Sequence, residues 1–380
     1  MADNSKIKRR QSGGKGKMDI TFLSFVLILL TIGLVMLFSA SYAYSLEYYG
    51  SSYKFITRQA MLGAVGVVIM LIVSRIDYHF WRKFSWVVYA IAIVLLTILL
   101  IMPPMVSGMV VKRWFVIGPI NFQPSEIAKF AIVLLFSSLI ASNYKQMKKL
   151  SFIAVLVVLL AIPCVLIIRE PHLSATLLTF CIGAVLLVVG GLPKIYMVIG
   201  TILVGIGGVI FYISGAISYV MDRLQYWIDP WSDATGKGFQ TIQSLLAIGS
   251  GGVLGRGIGQ SRQKYLWVPE PHNDFIFSIV CEELGLIGAM VIILLFCLLV
   301  WRGFTIAMHA SDKFGSLLAI GLTFQVGLQA LLNIWVVTNT IPNTGISLPF
   351  FSYGGTSLMI LLAEMGVVLS VSRGANIEKT

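Results

Sequence analysis

The sequence predicts an all-α integral membrane protein of about ten transmembrane helices, with one long extracytoplasmic loop that carries a short interfacial helix. Three observations predict it. Hydrophobic residues make up 57% of the 380 and charged residues only 12%. Apolar runs of about 20 residues recur along the chain, each enough to cross about 30 Å of hydrocarbon. The net charge of +12 gathers on alternate connections, as in cytoplasmic loops. The chain therefore reads as one membrane domain, 19–373, between tails at 1–18 and 374–380.

The first tail holds Lys6, Lys8, Arg9, Arg10, Lys15 and Lys17 among Gly and Ser. It reads as a disordered basic segment that touches anionic lipid, with no nucleic acid expected as a partner. Spans follow at 19–42, 57–75, 84–103, 125–142, 151–168, 173–190, 195–213, 275–300, 315–338 and 353–372. An even number puts both termini on one side, which also collects Arg75, Arg82, Lys83, Lys145, Lys148, Lys149, Lys194, Arg302 and Lys313. That side is cytoplasmic by the positive-inside rule. The first span continues through Ser39, Ser41, Tyr42 and Tyr44, too long and too polar for a cleaved signal, and reads as a retained anchor. Cys164, Cys181, Cys281 and Cys297 all fall within spans, which points to neither a disulfide framework nor a zinc site.

Three external segments, 104–129, 214–274 and 338–357, are richer in polar, Gly and aromatic residues than connectors need. In the longest, Arg223, Lys237, Arg256, Arg262 and Lys264 balance Asp222, Asp229, Asp233, Glu270 and Asp274. Phe239, Ile242, Leu245, Leu246 and Ile248 fall at helical spacing over a stretch too short to span, which predicts the interfacial or re-entrant helix. Gly249, Gly251, Gly252, Gly255, Gly257 and Gly259 follow. They fit neither nucleotide-loop pattern, and they serve either as a flexible helix stop or as a close backbone approach to a ligand.

Ionisable residues at an apolar boundary each need an account. Asp274 precedes the run that begins at Phe275. It is either the cap of the next helix or a partly desolvated general base with a raised pKa, and His272 is an alternative base. Glu270 reads as solvated, and Glu282 and Glu283, inside the next span, must be paired or protonated. Glu126 and Lys129 have the i, i+3 spacing of an ion pair on one helix face. Lys112, Arg113, Lys129, Arg262 and Lys264 form an external cationic set whose natural client is a diphosphate.

The ordered motifs resemble the SEDS family of bacterial cell-wall polymerases, which includes FtsW, RodA and SpoVE. They begin with Lys112-Arg113-Trp114, Gln123-Pro124-Ser125-Glu126 and Lys129. Next come Gly238-Phe239-Gln240, Gln243-Ser244, Ala247 to Gly252, Gly257, Gly259, Ser261 and Gln263-Lys264. Pro269-Glu270, His272, Asp274 to Phe277 and Glu282 to Gly285 continue the series. Pro342, Thr344-Gly345, Leu348-Pro349-Phe350 and Ser352-Tyr353-Gly354-Gly355 complete it, so the resemblance covers essentially the whole membrane domain.

The resemblance implies a ten-helix fold and a peptidoglycan glycosyltransferase that polymerises lipid II at the outer face of the cytoplasmic membrane. Asp274 matches the family's essential aspartate and is the expected base for the acceptor's GlcNAc hydroxyl. An attack on the donor's anomeric carbon with inversion then releases undecaprenyl diphosphate. Arg113, Lys129 and Lys264, with Lys112 and Arg262, are expected to hold that diphosphate. Glu126, Glu270, His272, Glu282, Glu283, Ser352 and Gly354 are expected in support. A divalent cation, Mg2+ or Mn2+, is a candidate helper, and no organic cofactor is expected. The implied partners are lipid II, a class B penicillin-binding transpeptidase and membrane proteins of the divisome or elongasome.

The division branch is the nearer resemblance, with the division septum as the expected site, and elongation and sporulation polymerases are the alternatives. Pro171-His172-Leu173-Ser174 replaces the usual Pro-Asp-Leu-Gly turn, so no catalytic role is assigned there. Two rival functions stay open: a lipid II flippase or other transporter, and a non-catalytic scaffold for the transpeptidase.

Overall fold

In the computed structural model of the protein, residues 16–102, 113–117, 120–213, 218–236, 238–265 and 267–375 are described. The described residues are mostly helical. The helices are α1 (Ile20–Tyr49), α2 (Lys54–Val73), α3 (His79–Lys83), α4 (Ser85–Ile101), α5 (Pro124–Ser142), α6 (Leu150–Arg169) and α7 (Leu173–Val189). They continue as α8 (Lys194–Ile213), α9 (Ser218–Ile228), α10 (Phe239–Gly251), α11 (Ile276–Met308), α12 (Lys313–Val337) and α13 (Thr356–Gly374). Seven of them, α1, α2, α5, α6, α11, α12 and α13, are long and apolar enough to cross a membrane, which makes this a multi-pass membrane protein. Helices α4 and α7 are apolar but shorter, and with α8 they occupy the other three expected spans.

Local chemistry sets the helix ends. Asp19 accepts a hydrogen bond from the Phe22 N–H at 2.8 Å and starts α1, while Gly50 closes it in the left-handed region. Asp312 caps α12 in the same way, and Pro124 occupies the first turn of α5. Because lipid tails are as apolar as leucine, close packing holds the bundle together, and small residues mark where backbones meet. Helices α2 and α13 cross where a Cβ on Gly66 would fall 2.6 Å from Leu362 and one on Gly366 2.6 Å from the Met70 carbonyl. Helices α5, α12 and α13 are largely buried at the centre, whereas α2, α4 and α6 turn Val65, Val68, Ile91, Val94, Val155 and Val158 outward.

The long segments depart from the expectation in detail. Segment 104–129 contains an antiparallel hairpin, β1 (Phe115–Ile117) with β2 (Ile120–Phe122), which pairs Phe115 with Phe122. In segment 214–274 the expected short helix is present as α10, and a second, α9, precedes it. The balanced charges around Asp222 and Arg223 make α9 look like loop in sequence. Its Trp227 and Asn339 exchange side-chain-to-carbonyl hydrogen bonds, which dock it on the segment between α12 and α13.

Helix α11 is broken. At Gly285 the backbone takes φ 67°, ψ −170°, and the helix resumes beyond it. The groups freed by the break pair with the glycine-rich turn after α10. Arg256 and Gly257 N–H donate to the Glu282 and Glu283 carbonyls at 3.0 and 2.9 Å, and Leu286 N–H donates to the Gly252 carbonyl at 3.0 Å. A Cβ on Gly255 would lie 2.3 Å from the Glu283 carbonyl oxygen. The glycines therefore permit a close approach to the chain's own helix rather than to a ligand.

Candidate active site

Where this end of the bundle folds inward, a cavity of about 400 Å³ opens beside Asp274. Arg113 and Trp114 enter it from the start of the hairpin, Glu126 and Lys129 from the first turns of α5, and Gln329 from α12. Residues between α12 and α13, from Gly345 to Gly354, close it from the opposite side.

Hydrogen bonds lock that closing segment to the Asp274 loop. Asn333 Nδ2 donates to the Asp274 carbonyl at 2.7 Å and to the Ile346 carbonyl at 2.6 Å. Ser352 Oγ donates to the Asn273 carbonyl at 2.8 Å and accepts the Leu348 N–H at 2.7 Å. From α2, the fully buried Gln59 accepts the Gly354 and Gly355 N–H groups at 3.4 and 3.2 Å. Ser352 and Gly354, expected in support, thus sit in the cavity wall and hold its shape.

Asp274 does not cap the helix, since α11 starts at Ile276 after Phe275 with no side-chain cap. Among the described residues nothing hydrogen-bonds to its carboxylate, which borders the cavity. Burial lifts its pKa to about 6; Arg113 and Arg223 oppose that rise and Glu270 adds to it. A carboxylate in that range, with no hydrogen bond holding it, is suited to taking a proton near neutral pH.

The cations divide into two groups. Arg113 and Lys129 line the cavity. Lys129, only 2% exposed, lies 2.9 Å from Glu126 Oε2, the i, i+3 pair read in the sequence, and donates to Gln329 Oε1 at 3.2 Å. Arg113 donates to the Pro171 carbonyl at 2.6 Å.

Lys264 lies elsewhere, and the expectation of a free external cation needs correcting. Its Nζ is buried 3.1 Å from Glu283 Oε1 and donates to Ser39 Oγ at 3.1 Å and to the Gly259 carbonyl at 2.7 Å. The break in α11 explains this, because it brings the Glu282 and Glu283 side chains up against residues 256–264. Glu282 accepts the Arg262 and Gln263 N–H groups at 2.9 and 3.3 Å, and Arg256 Nε stands 3.6 Å away. Both glutamates are paired and neither lines the cavity. The Arg262 side chain is exposed and is not part of the wall either. Lys112 lies outside the described residues.

His272 is also corrected. It packs between the Phe55 and Tyr44 rings, with centroids 4.3 and 4.9 Å away, outside the cavity lining. Burial lowers its pKa to about 4, so the ring is neutral and serves as packing. Glu270 is exposed at the rim, held to Asn273 Nδ2 at 2.8 Å.

Several wall residues escaped the sequence reading. His172 and Ser174, from the turn given no role, both line the cavity, as does Gln123, whose Nε2 is 3.4 Å from His172 Nδ1. Burial, reinforced by Arg113, Lys129 and Arg223, lowers the His172 pKa to about 3 and leaves a neutral imidazole. Behind them, burial raises the Glu170 pKa to about 8 against the pull of Arg113. Arg223 acts on Asp274 from α9 while its guanidinium donates to the Asn343 carbonyl. Neutral amides such as Gln329 and Asn333 carry no charge signal, although two polar residues four apart in an apolar span mark a shared face.

A family profile described as "Cell cycle protein", covering FtsW, RodA and SpoVE, matches residues 20–377. Stage V sporulation protein E of Bacillus subtilis (strain 168) is 37% identical, with 93% of this chain and 97% of the relative covered. A probable peptidoglycan glycosyltransferase FtsW of Geobacter sp. (strain M18) is 36% identical over 94% of this chain and 98% of that protein. Among solved structures, a chain of a peptidoglycan synthase complex, described for its coordination of polymerization and crosslinking, superposes with TM-score 0.78. It is 26% identical, with 94% of this chain and 98% of that one covered. Thermus thermophilus RodA shares the fold with TM-score 0.70 at 24% identity, over 95% of this chain and 98% of that one.

Proposed function

Since the chain belongs to the FtsW, RodA and SpoVE family of cell cycle proteins, we propose that it is a peptidoglycan glycosyltransferase that joins lipid II units into glycan strands. One observation carries the reading: a half-buried carboxylate, Asp274, to which no described residue donates a hydrogen bond, lines the same cavity as Arg113 and Lys129. A base and a cationic clamp on one cavity are what a sugar transfer from a diphosphate donor requires.

Asp274 takes the proton of the acceptor's GlcNAc 4-hydroxyl. The hydroxyl oxygen forms its new bond to C1 of the donor's MurNAc as the C1–O bond to the lipid diphosphate breaks. The electron pair leaves with the diphosphate, where Arg113 and Lys129 stabilise it. Attack opposite the leaving group turns an α donor into a β product. A diphosphate needs no protonation to leave, so one carboxylate suffices where glycosidases use two. Neutral His172, Ser174 and Gln123 offer hydrogen bonds to sugar hydroxyls in the same space.

Among the described residues no three His, Cys, Asp or Glu side chains converge on a metal position. The described cavity carboxylates do not by themselves build a cage for a cation. The cavity faces the outer side, with both termini cytoplasmic by the positive-inside rule. A class B penicillin-binding transpeptidase is the proposed partner, in keeping with the synthase complex that the fold resembles. Action at the division septum is the proposed setting, although the likeness to a sporulation protein keeps that branch in play.

Purified protein in liposomes with labelled lipid II tests the activity. Wild type is expected to form glycan chains that Asp274→Ala does not. Lipid II translocation without any polymer, unchanged in Asp274→Ala, overturns the polymerase in favour of a transporter.

A further inference from the structure

Beneath the cavity lies a carboxyl group that the proposed reaction does not use. Leu361 of α13 lines the cavity floor. Three residues on, Glu364 shares that face one turn deeper, at 2% exposure. Helix α12 supplies a matching ladder. Gln329 accepts from Lys129 Nζ at 3.2 Å, and Gln325, one turn below, donates its Nε2 to Glu364 Oε2 at 2.9 Å. Gln325 Oε1 and Glu364 Oε1 are both buried with no hydrogen-bond partner. The charged side chains that act on Glu364 are Lys129 and Glu126, both from α5.

The charge count is unbalanced. One ammonium, Lys129, serves two carboxyls, Glu126 beside it at the cavity and the buried Glu364 below. With both acids ionised the cluster carries a net negative charge under a cavity read here as the seat of a diphosphate. An anion entering above would meet a lysine already drawn toward two carboxylates, and among the described residues no second cation acts on Glu364. A proton on Glu364 removes the surplus, and the resulting O–H supplies a donor where two acceptor oxygens stand unpartnered.

We propose that Glu364 is a positioning residue that couples diphosphate binding to the uptake of one proton, freeing the Lys129 charge for the cavity when it is protonated. Glu364 touches no substrate and acts through Lys129 and Gln325. This rests on the reading of the cavity as a diphosphate site. Protonation favours binding, so affinity is kept at low pH and lost as pH rises through the titration of Glu364. Glu364→Gln, neutral at every pH, keeps the hydrogen bond to Gln325 and is expected to abolish that loss.

Two measurements on the purified full-length chain test this. In the first, KM and kcat for lipid II polymerisation are followed with pH. Wild-type KM rises by up to about tenfold per pH unit on the alkaline side while Glu364→Gln stays flat, with kcat alike in the two. The second is calorimetry of undecaprenyl diphosphate binding in two buffers of different ionisation enthalpy. Wild type takes up more protons than Glu364→Gln, and Glu364→Ala, with matched thermal stability as the folding control, behaves as Gln does. Equal proton uptake and parallel KM profiles in wild type and Glu364→Gln overturn the proposal. Differential uptake in a protein that polymerises nothing supports the coupling and overturns the glycosyltransferase reading. Absence of diphosphate binding by a folded wild type overturns the site on which both rest.

Discussion

Asp274 and the pair Glu282–Glu283 are separated by less than ten residues of chain, at the same end of the same helix, and the fold treats them in opposite ways. The glutamates are surrounded: Lys264, Ser39 and Ser261 with Arg256 and three backbone N–H groups answer their oxygens. The aspartate, half-buried, receives no hydrogen bond on its carboxylate among the described residues; it borders a cavity instead, where Arg113 and Arg223 act on it. A buried charge that is fully paired holds structure together. One left open at a cavity costs stability and is kept for chemistry.

The contrast breaks most visibly with Asp274→Asn. Loss of the base is expected to cut lipid II polymerisation by about 10²–10⁴-fold while the thermal unfolding midpoint in detergent does not fall. A variant that is both inactive and unfolded erases the distinction. Lys264→Ala is the opposite case. It strands Glu283 without its cation and is expected to destabilise the protein by about 3–5 kcal/mol, read by thermal unfolding. Lys264→Met combined with Glu283→Leu should recover much of that loss, and a double-mutant cycle measures how much.

Gly255→Ala probes the same knot through the backbone. Its φ of 79° and a Cβ 2.3 Å from the Glu283 carbonyl oxygen make about 1–3 kcal/mol of destabilisation the expected outcome, with activity falling only as folded protein is lost. The pH profile gives the smallest effect. The Asp274 base works ionised, so the polymerisation rate should climb with pH through about 6 and then level. Its folded pKa lies above the unfolded value near 3.9, so the folded state holds the proton more tightly. Stability is therefore fully present below about pH 4 and lost as pH rises to about 6, by about 1–3 kcal/mol. Asp274→Asn should remove that slope, and unfolding followed between those two pH values tests it.

The helices were legible because each span announces itself by length and hydropathy, and Asp274 because an acid at an apolar boundary needs a reason. Lys264 was misread because the sequence shows a cation in a polar loop, while its partner Glu283 arrives only through the break in α11. Gly285 itself gave no warning inside a run that reads as helix. His172 and Ser174 were passed over because a turn between spans is placed against the cavity by packing alone. Arg223 was hidden by the balanced charge of its neighbours. Gln325 and Glu364 were within reach, a four-residue polar spacing in α12 and a lone acid in α13, but their alignment under Lys129 belongs to the packed bundle.

The pairing of the glycine-rich turn with the broken helix bears on biosynthesis. Helix α11 runs to 33 residues; its upper turns are buried nearly all round, while its lower ones expose Leu286, Ile287, Met290 and Leu294 on one face and bury Ala289, Ile292 and Phe296 on the other. The freed carbonyls at Glu282 and Glu283 have no partner until residues 252–257 lie against them. During translocation that segment leaves the ribosome before the helix it must mend, so it waits unpaired at the membrane surface. The nascent chain thus finishes this corner in a single zippering event once both sides of Gly285 have emerged. A stall before that residue should leave an assembly intermediate open to surface proteases.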